Sequence, residues 1–128
     1  MILIDTSLLI AHVRKPDKTQ TVFYQLTKQE ELAIAMMTAF EFLIGKNASN
    51  ASLIDSLLAN LEILVWDKTC MEISTQIYRD LKQQSQLIET PDIIIAATAI
   101  AHQIPLATRN QRHFERIKDL QLFDISGL

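Results

Sequence analysis

"MILIDTSLLI", residues 1–10, runs from four apolar residues through a carboxylate and two hydroxyls into a second apolar run. A strand over "MILID" (1–5) followed by a helix over Thr6 to Val13 makes it a β–α unit, and the same alternation recurs along the chain. Short apolar runs ended by polar or helix-starting residues stand at "LAIAM" (32–36), "EILVW" (62–66), "IPLAT" (104–108) and "QLFDI" (121–125), and are expected as strands. Helical patterns occupy Lys18 to Lys28, Thr38 to Lys46, Ser52 to Asn60, Lys68 to Gln86 and Pro91 to His102. Such an order implies an α/β fold, a mainly parallel sheet of four to five strands with helices on both faces. Near-continuous apolar strands agree, because a parallel sheet is covered on both sides.

Composition bounds what such a fold can do. With 128 residues, 48% of them hydrophobic, residues 1–128 are expected to form one domain with a real core. No basic, apolar leader opens the chain, and the longest nearly apolar run, Ile93 to Ala101, is far short of the ~20 residues that span a bilayer. A cytoplasmic protein without a membrane segment is expected. The single Cys70 has no partner thiol for a disulfide or a zinc site and suits a reducing compartment. Gly45 and Gly127 are the only glycines, so no glycine-rich phosphate loop or dinucleotide fingerprint can be built.

Three carboxylates interrupt apolar runs. Asp5 ends the first strand, Glu41 lies in "TAFEFLIG" after the second, and Asp92 opens the helix "TPDIIIAATAIA" (90–101) that leads to the fourth. All three belong near the carboxyl ends of strands, the edge at which open α/β sheets bind ligands. Asp92 and Glu41 have a plain structural reading as well. Thr90 can cap its helix, Pro91 suits the first turn, and Asp92 complements the helix dipole. Glu41 is flanked by Ala39, Phe40, Phe42, Leu43 and Ile44, which leave little solvent face, and its plain reading is a half-exposed position or a bond to a hydroxyl such as Thr38 or Ser7. A divalent cation answers all three cases together. Oxygen ligands without histidine or cysteine select Mg²⁺ or Mn²⁺ over zinc, and those ions serve phosphodiester hydrolysis. Outside the three acids, the chain's other acids and its 12 bases cancel, so the formal charge of −3 equals that of the cluster.

A nucleic-acid substrate would need a positive surface near that edge. "TRNQRHFERIK" (108–118) supplies Arg109, Arg112, Arg116 and Lys118 against Glu115, although a solvated charged face has the same composition.

"ILIDTSLLI", "MMTAFEFLIG" and "PDIIIAATAIAHQIPLATRNQRHFERI" together resemble the motifs of PIN-domain ribonucleases and, at this chain length, the VapC-type toxins of toxin–antitoxin pairs. The resemblance spans essentially the whole chain. It implies a three-layer α/β/α sandwich, a Mg²⁺- or Mn²⁺-dependent endoribonuclease acting on RNA, a homodimer, and inhibition by a small cognate antitoxin protein. Asp5, Glu41 and Asp92 match the family's acidic metal ligands, Thr6 and Ser7 the hydroxyls beside the first acid, and Thr108 and Asn110 the segment that closes the site. One departure stands out: many PIN domains carry a fourth acid after strand four, where this chain has Asn110 and then His113. Asn110 adds no charge, which puts a second metal position in doubt.

Other chemistries fit the sequence less well. A phospho-receiver module could use Asp67 after the third strand, but it would want paired acids after the first strand and a lysine after the last. A haloacid-dehalogenase-like phosphatase would want an acid where Ser7 stands. A metal-independent ribonuclease could use His12 and His113 as an acid–base pair, whereas His102 simply complements the end of its helix. A solitary PIN-type RNA-processing nuclease shares every residue of the toxin reading.

Overall fold

The computed structural model describes all residues, Met1–Leu128. Four parallel strands form the sheet: β1 (Ile2–Ile4), β2 (Leu32–Ala35), β3 (Glu62–Leu64) and β4 (Leu106–Ala107), in spatial order β3-β2-β1-β4. Seven α-helices accompany them: α1 (Thr6–Arg14), α2 (Val22–Thr27), α3 (Met36–Ile44), α4 (Ala51–Asn60), α5 (Lys68–Gln83), α6 (Thr90–Ala101) and α7 (Gln111–Phe114).

The strand pleat divides the core in two. Ile2, Ile4 and Ile34 point to one face and meet Leu8 and Leu9 of α1, Phe23 and Leu26 of α2, Ala39 and Phe42 of α3, and Ile54 of α4. Leu3, Ala33 and Ala35 point to the other and meet Ile77 and Leu81 of α5, Ile95 and Ala99 of α6, and Phe114 of α7. The α/β/α sandwich is therefore written into strands of two to four residues that are apolar in β1, β2 and β4 and, in β1, wholly buried, with Glu62 at the start of edge strand β3 the one charged exception.

The elements depart from the sequence reading in four places. "QLFDI" is not a fifth strand; it makes a single bridge, Leu106 to Leu122, because β4 is only two residues long and gives it nothing to extend along. The helix expected from Thr38 begins at Met36, with Ala35 at its N-cap and no side-chain cap. Lys18 to Lys28 is a 3₁₀ turn, Lys18–Gln20, followed by α2, and the break falls at Thr21, whose hydroxyl accepts from Tyr24 N. At α6 the N-cap position belongs to Glu89 rather than Thr90, and no side chain caps that end. No helix is long and apolar enough to cross a membrane.

Strand order fixes where a site can form. The chain proceeds outward from β1 through β2 to β3, then returns to place β4 on the other side of β1. The crevice at that reversal opens between the carboxyl ends of β1 and β4, where Asp5 and Thr108 are the next residues after each strand.

Candidate active site

Asp5 is nearly fully buried, at 3% exposure, and its carboxylate is anchored from both sides of the crevice. Thr108 Oγ1 donates to Asp5 Oδ2 at 2.6 Å, and Ser7 Oγ donates to the same oxygen at 2.9 Å. Oδ1 takes no hydrogen bond from the protein and is left free to act. Thr108 is itself fixed by Asn110 N, which donates to Oγ1 at 3.0 Å. That bond turns the chain after β4 into α7. Asn110 contributes its backbone; its side chain caps nothing.

Glu41 is half-buried, and its helix is not closed around it: Phe40, Leu43 and Ile44 all face outward. The partner is Thr6, whose Oγ1 donates to Glu41 Oε1 at 2.9 Å and lies 2.9 Å from Thr38 Oγ1, a residue with no exposure at all. A hydroxyl thus answers Glu41, as the plain reading allowed, but from α1 and not from Thr38 or Ser7. A buried threonine pair ties α1 to α3 and aims the acid at the sheet edge.

Asp92, in the first turn of α6, belongs to the same electrostatic field. Burial, and then the charge of Asp5, push its pKa up to about 6, with Glu89 and Glu41 adding to the rise and His113 opposing it. His113 Nδ1 lies 3.9 Å from Asp92 Oδ2. Neither lysine nor arginine forms an ion pair with Asp5, Glu41 or Asp92. The structure therefore brings the three acids to one edge with His113 as the one basic side chain paired with any of them. Glu89 escaped the sequence reading, although its position three residues before Asp92 puts it on the same helical turn.

These donors suit a hard divalent cation: carboxylate oxygens, no lysine or arginine to neutralise them, and one carboxyl already driven toward protonation by burial and then by the charge of Asp5. No three of the chain's acids, histidines or cysteines stand close enough to ligate one ion directly. Magnesium tolerates this, since it usually keeps several waters and takes only one or two protein carboxylates.

The rest of the basic segment divides. Arg109 and Arg112 are exposed beside Thr108 and His113 at the acid edge. Arg116 and Lys118 instead line a separate cavity with Asp80 of α5 and Ile100 of α6. Ile100 is eight residues beyond Asp92, about 12 Å along the helix axis.

The alternative chemistries find no support in the placement of their residues. Asp67 caps α5, accepting from Cys70 N at 3.0 Å. His12 is buried, its Nδ1 2.7 Å from Thr21 Oγ1 and its ring 4.7 Å from that of Phe23, so it is engaged in holding α1 to α2. No hydrogen bond or ring contact joins it to His113.

The chain is similar to known proteins along nearly its whole length. Ribonuclease VapC1 of Methanocaldococcus jannaschii is 36% identical over 96% of this chain and 87% of its own length. Ribonuclease VapC2 of Rickettsia felis is 29% identical, covering 94% of each chain. Among solved structures, VapBC2 of Rickettsia felis bound to a promoter DNA fragment superposes with a TM-score of 0.84 at 29% identity, over 96% of this chain and 98% of that one. The PIN domain model matches residues 2–120, which include all three acids and the Thr108 turn. From β1 to the segment beyond α7, this chain belongs to the PIN domain family, within its VapC group.

Proposed function

We propose that the chain is an endoribonuclease that hydrolyses RNA phosphodiester bonds with the help of Mg²⁺ or Mn²⁺, and that it is the toxin of a toxin–antitoxin pair. The observation that carries the chemistry is the convergence of Asp5, Glu41 and Asp92 on the carboxyl edge with no lysine or arginine paired to any of them. When bound, the ion would activate water and stabilise the charge that develops on the phosphate.

The residues divide the remaining work. Ser7 and Thr108 hold Asp5 by one oxygen, which fixes the direction of the other. Thr6 does the same for Glu41, leaving Oε2 open. Asp92 supplies the third charge, and a cation would oppose the burial and the neighbouring negative charge that raise its pKa. Arg109 and Arg112 lie where the flanking phosphates of an RNA strand would pass. Thr6, Ser7, Thr108 and Asn110 are positioning residues in this scheme.

The likeness to VapC ribonucleases and to a VapB–VapC complex supports the toxin role. The implied partners are a small cognate antitoxin and a second copy of the chain. Purified chain, free of partner, should cleave single-stranded RNA in Mg²⁺ or Mn²⁺ and stop in EDTA. Cleavage that survives EDTA would remove the metal from the scheme, and binding without cleavage would remove the enzyme.

A further inference from the structure

Beside the acid edge, between α1, α3 and the start of α4, lies a cavity of about 190 Å³. Its walls are apolar: Ile10 and Val13 from α1, Phe42 from α3, Ile54 from α4. One margin is formed by Thr6 and Glu41, so whatever fills the cavity lies directly against the acid site. The opposite margin carries Arg14, an exposed guanidinium with neither an ion pair nor a hydrogen bond to any carboxylate.

We propose that this cavity receives one unpaired base of a single-stranded RNA, belonging to a nucleotide next to the cleaved phosphodiester, while Arg14 holds that nucleotide's phosphate. The inference rests on the nuclease reading and gives it a subsite. An apolar slot with a cation at its mouth matches the two ends of a nucleotide, a flat ring and an anion. Proteins that read single-stranded RNA do so by splaying bases out of the stack into such slots. The cavity falls below the size of a pocket for a drug-sized ligand, which limits it to a single group.

Few polar atoms face the occupant. Thr6 is engaged with Glu41 and Thr38. The Asn50 amide accepts from Asn47 N at 2.7 Å and donates to the Gly45 carbonyl at 3.2 Å. Selection of the base therefore follows shape and stacking more than a hydrogen-bond code, which gives a graded preference rather than an absolute one.

Gly45 makes the idea testable, because it lines the cavity and has an ordinary backbone φ of −83°. A Cβ there would meet only Glu41 O at 3.7 Å and Phe42 O at 3.8 Å. Gly45→Phe should fill the space with the fold intact, and Gly45→Leu offers a smaller filler should the first destabilise it. The probes are the four ribonucleoside 5′-monophosphates and, as a baseless control, ribose 5-phosphate, titrated in Mg²⁺ by calorimetry or NMR. Wild type should bind at least one nucleotide roughly tenfold more tightly than ribose 5-phosphate. Arg14→Ala should weaken all five ligands, and the Gly45 variants should bind nucleotides no better than the control. Equal binding of control and nucleotides by wild type, or unchanged nucleotide binding by folded Gly45 variants, overturns the proposal. Nucleotides that fail to bind at all would reassign the cavity to an apolar side chain of a protein partner. On a random single-stranded RNA pool, wild type should show a base bias at one position beside the cut that Gly45→Leu loses. A wild-type chain that cleaves none of the pool refutes the nuclease reading, whereas the binding arm judges the cavity independently.

Discussion

Between pH 3.8 and about 6, Asp92 holds a proton in the folded chain that the unfolded chain has released. The folded state binds more protons across that window, so stability falls as pH rises through it, and the full penalty is present above its upper end. The penalty is on the order of 1–3 kcal/mol. Asp92→Asn removes it, so in EDTA the variant should melt above wild type at pH 7 and match it near pH 4. Wild type should regain the loss on binding metal, by roughly 2.7 kcal/mol at a hundredfold excess over the dissociation constant. The variant should gain much less and should cleave RNA orders of magnitude more slowly. A helix-end charge predicts the reverse: a lower melt without metal, an unchanged response to metal and continued cleavage. Thr108 allows a second test, since its hydroxyl donates to Asp5 and accepts from Asn110 N. Thr108→Val leaves the buried Asp5 carboxylate and the half-buried Asn110 N–H each one bond short and should cost about 1–3 kcal/mol in chemical denaturation, together with metal-induced stabilisation. Thr108→Ser should restore both; retention of the metal response by Thr108→Val would show that Asp5 holds its orientation unaided.

At the scale of elements, the sequence revealed the acids better than their supports. Asp5, Glu41 and Asp92 stand out because a charge inside an apolar run is conspicuous and because β–α order places each near a strand's carboxyl end. Thr6 as the partner of Glu41 was harder to find, since the two are 35 residues apart and meet only when α1 and α3 pack on the same face of the sheet. Boundaries were lost where apolar character runs on unbroken: nothing in "LAIAMM" marks the passage from β2 to α3 at Met36. The segment after β4 illustrates the limit in another way. Its arginines form one run in the sequence, yet α7 is four residues long and the chain turns beyond it, through Asp119 at a φ of 69°. Arg109 and Arg112 remain at the acid edge, and Arg116 is carried to the α5 side. Arg109→Ala and Arg112→Ala should therefore each weaken single-stranded RNA binding and reduce its salt slope by about 0.7. Arg116→Ala should leave that slope unchanged in a filter-binding or fluorescence titration at several salt concentrations; a loss equal to that of the other two would return it to the RNA path.

The molecule as a whole covers both faces of its sheet yet leaves one apolar stripe bare. Met36, Phe40, Leu43 and Ile44, at helical spacing along α3, are 46%, 57%, 52% and 67% exposed. Beside them, the edge strand β3 and the residues after it present Ile63 at 39% and Val65 at 53%. The sequence reading places Met36 at the end of a strand and expects Phe40, Leu43 and Ile44 to leave Glu41 little solvent face, because an apolar helix following a strand usually packs inward on all the sides it can. The inward side of α3 is instead narrow, consisting of Thr38, Ala39 and Phe42, and it is already satisfied by the sheet and by Thr6. A contiguous apolar surface of this kind is costly in water and is the mark of an interface. The homodimer proposed above would seat here, with β3 contributing its unpaired edge. Sedimentation of wild type at micromolar concentration should report a dimer, and Phe40→Asp or Ile44→Asp should convert it to a monomer. Because these side chains are exposed, the monomeric variants should retain their helical circular dichroism and their response to metal. A wild type that sediments as an active monomer would exclude a self-association role for the stripe and leave the acid site untouched, since Asp5 and Glu41 are held by hydroxyls of their own chain and Asp92 faces His113 of the same chain.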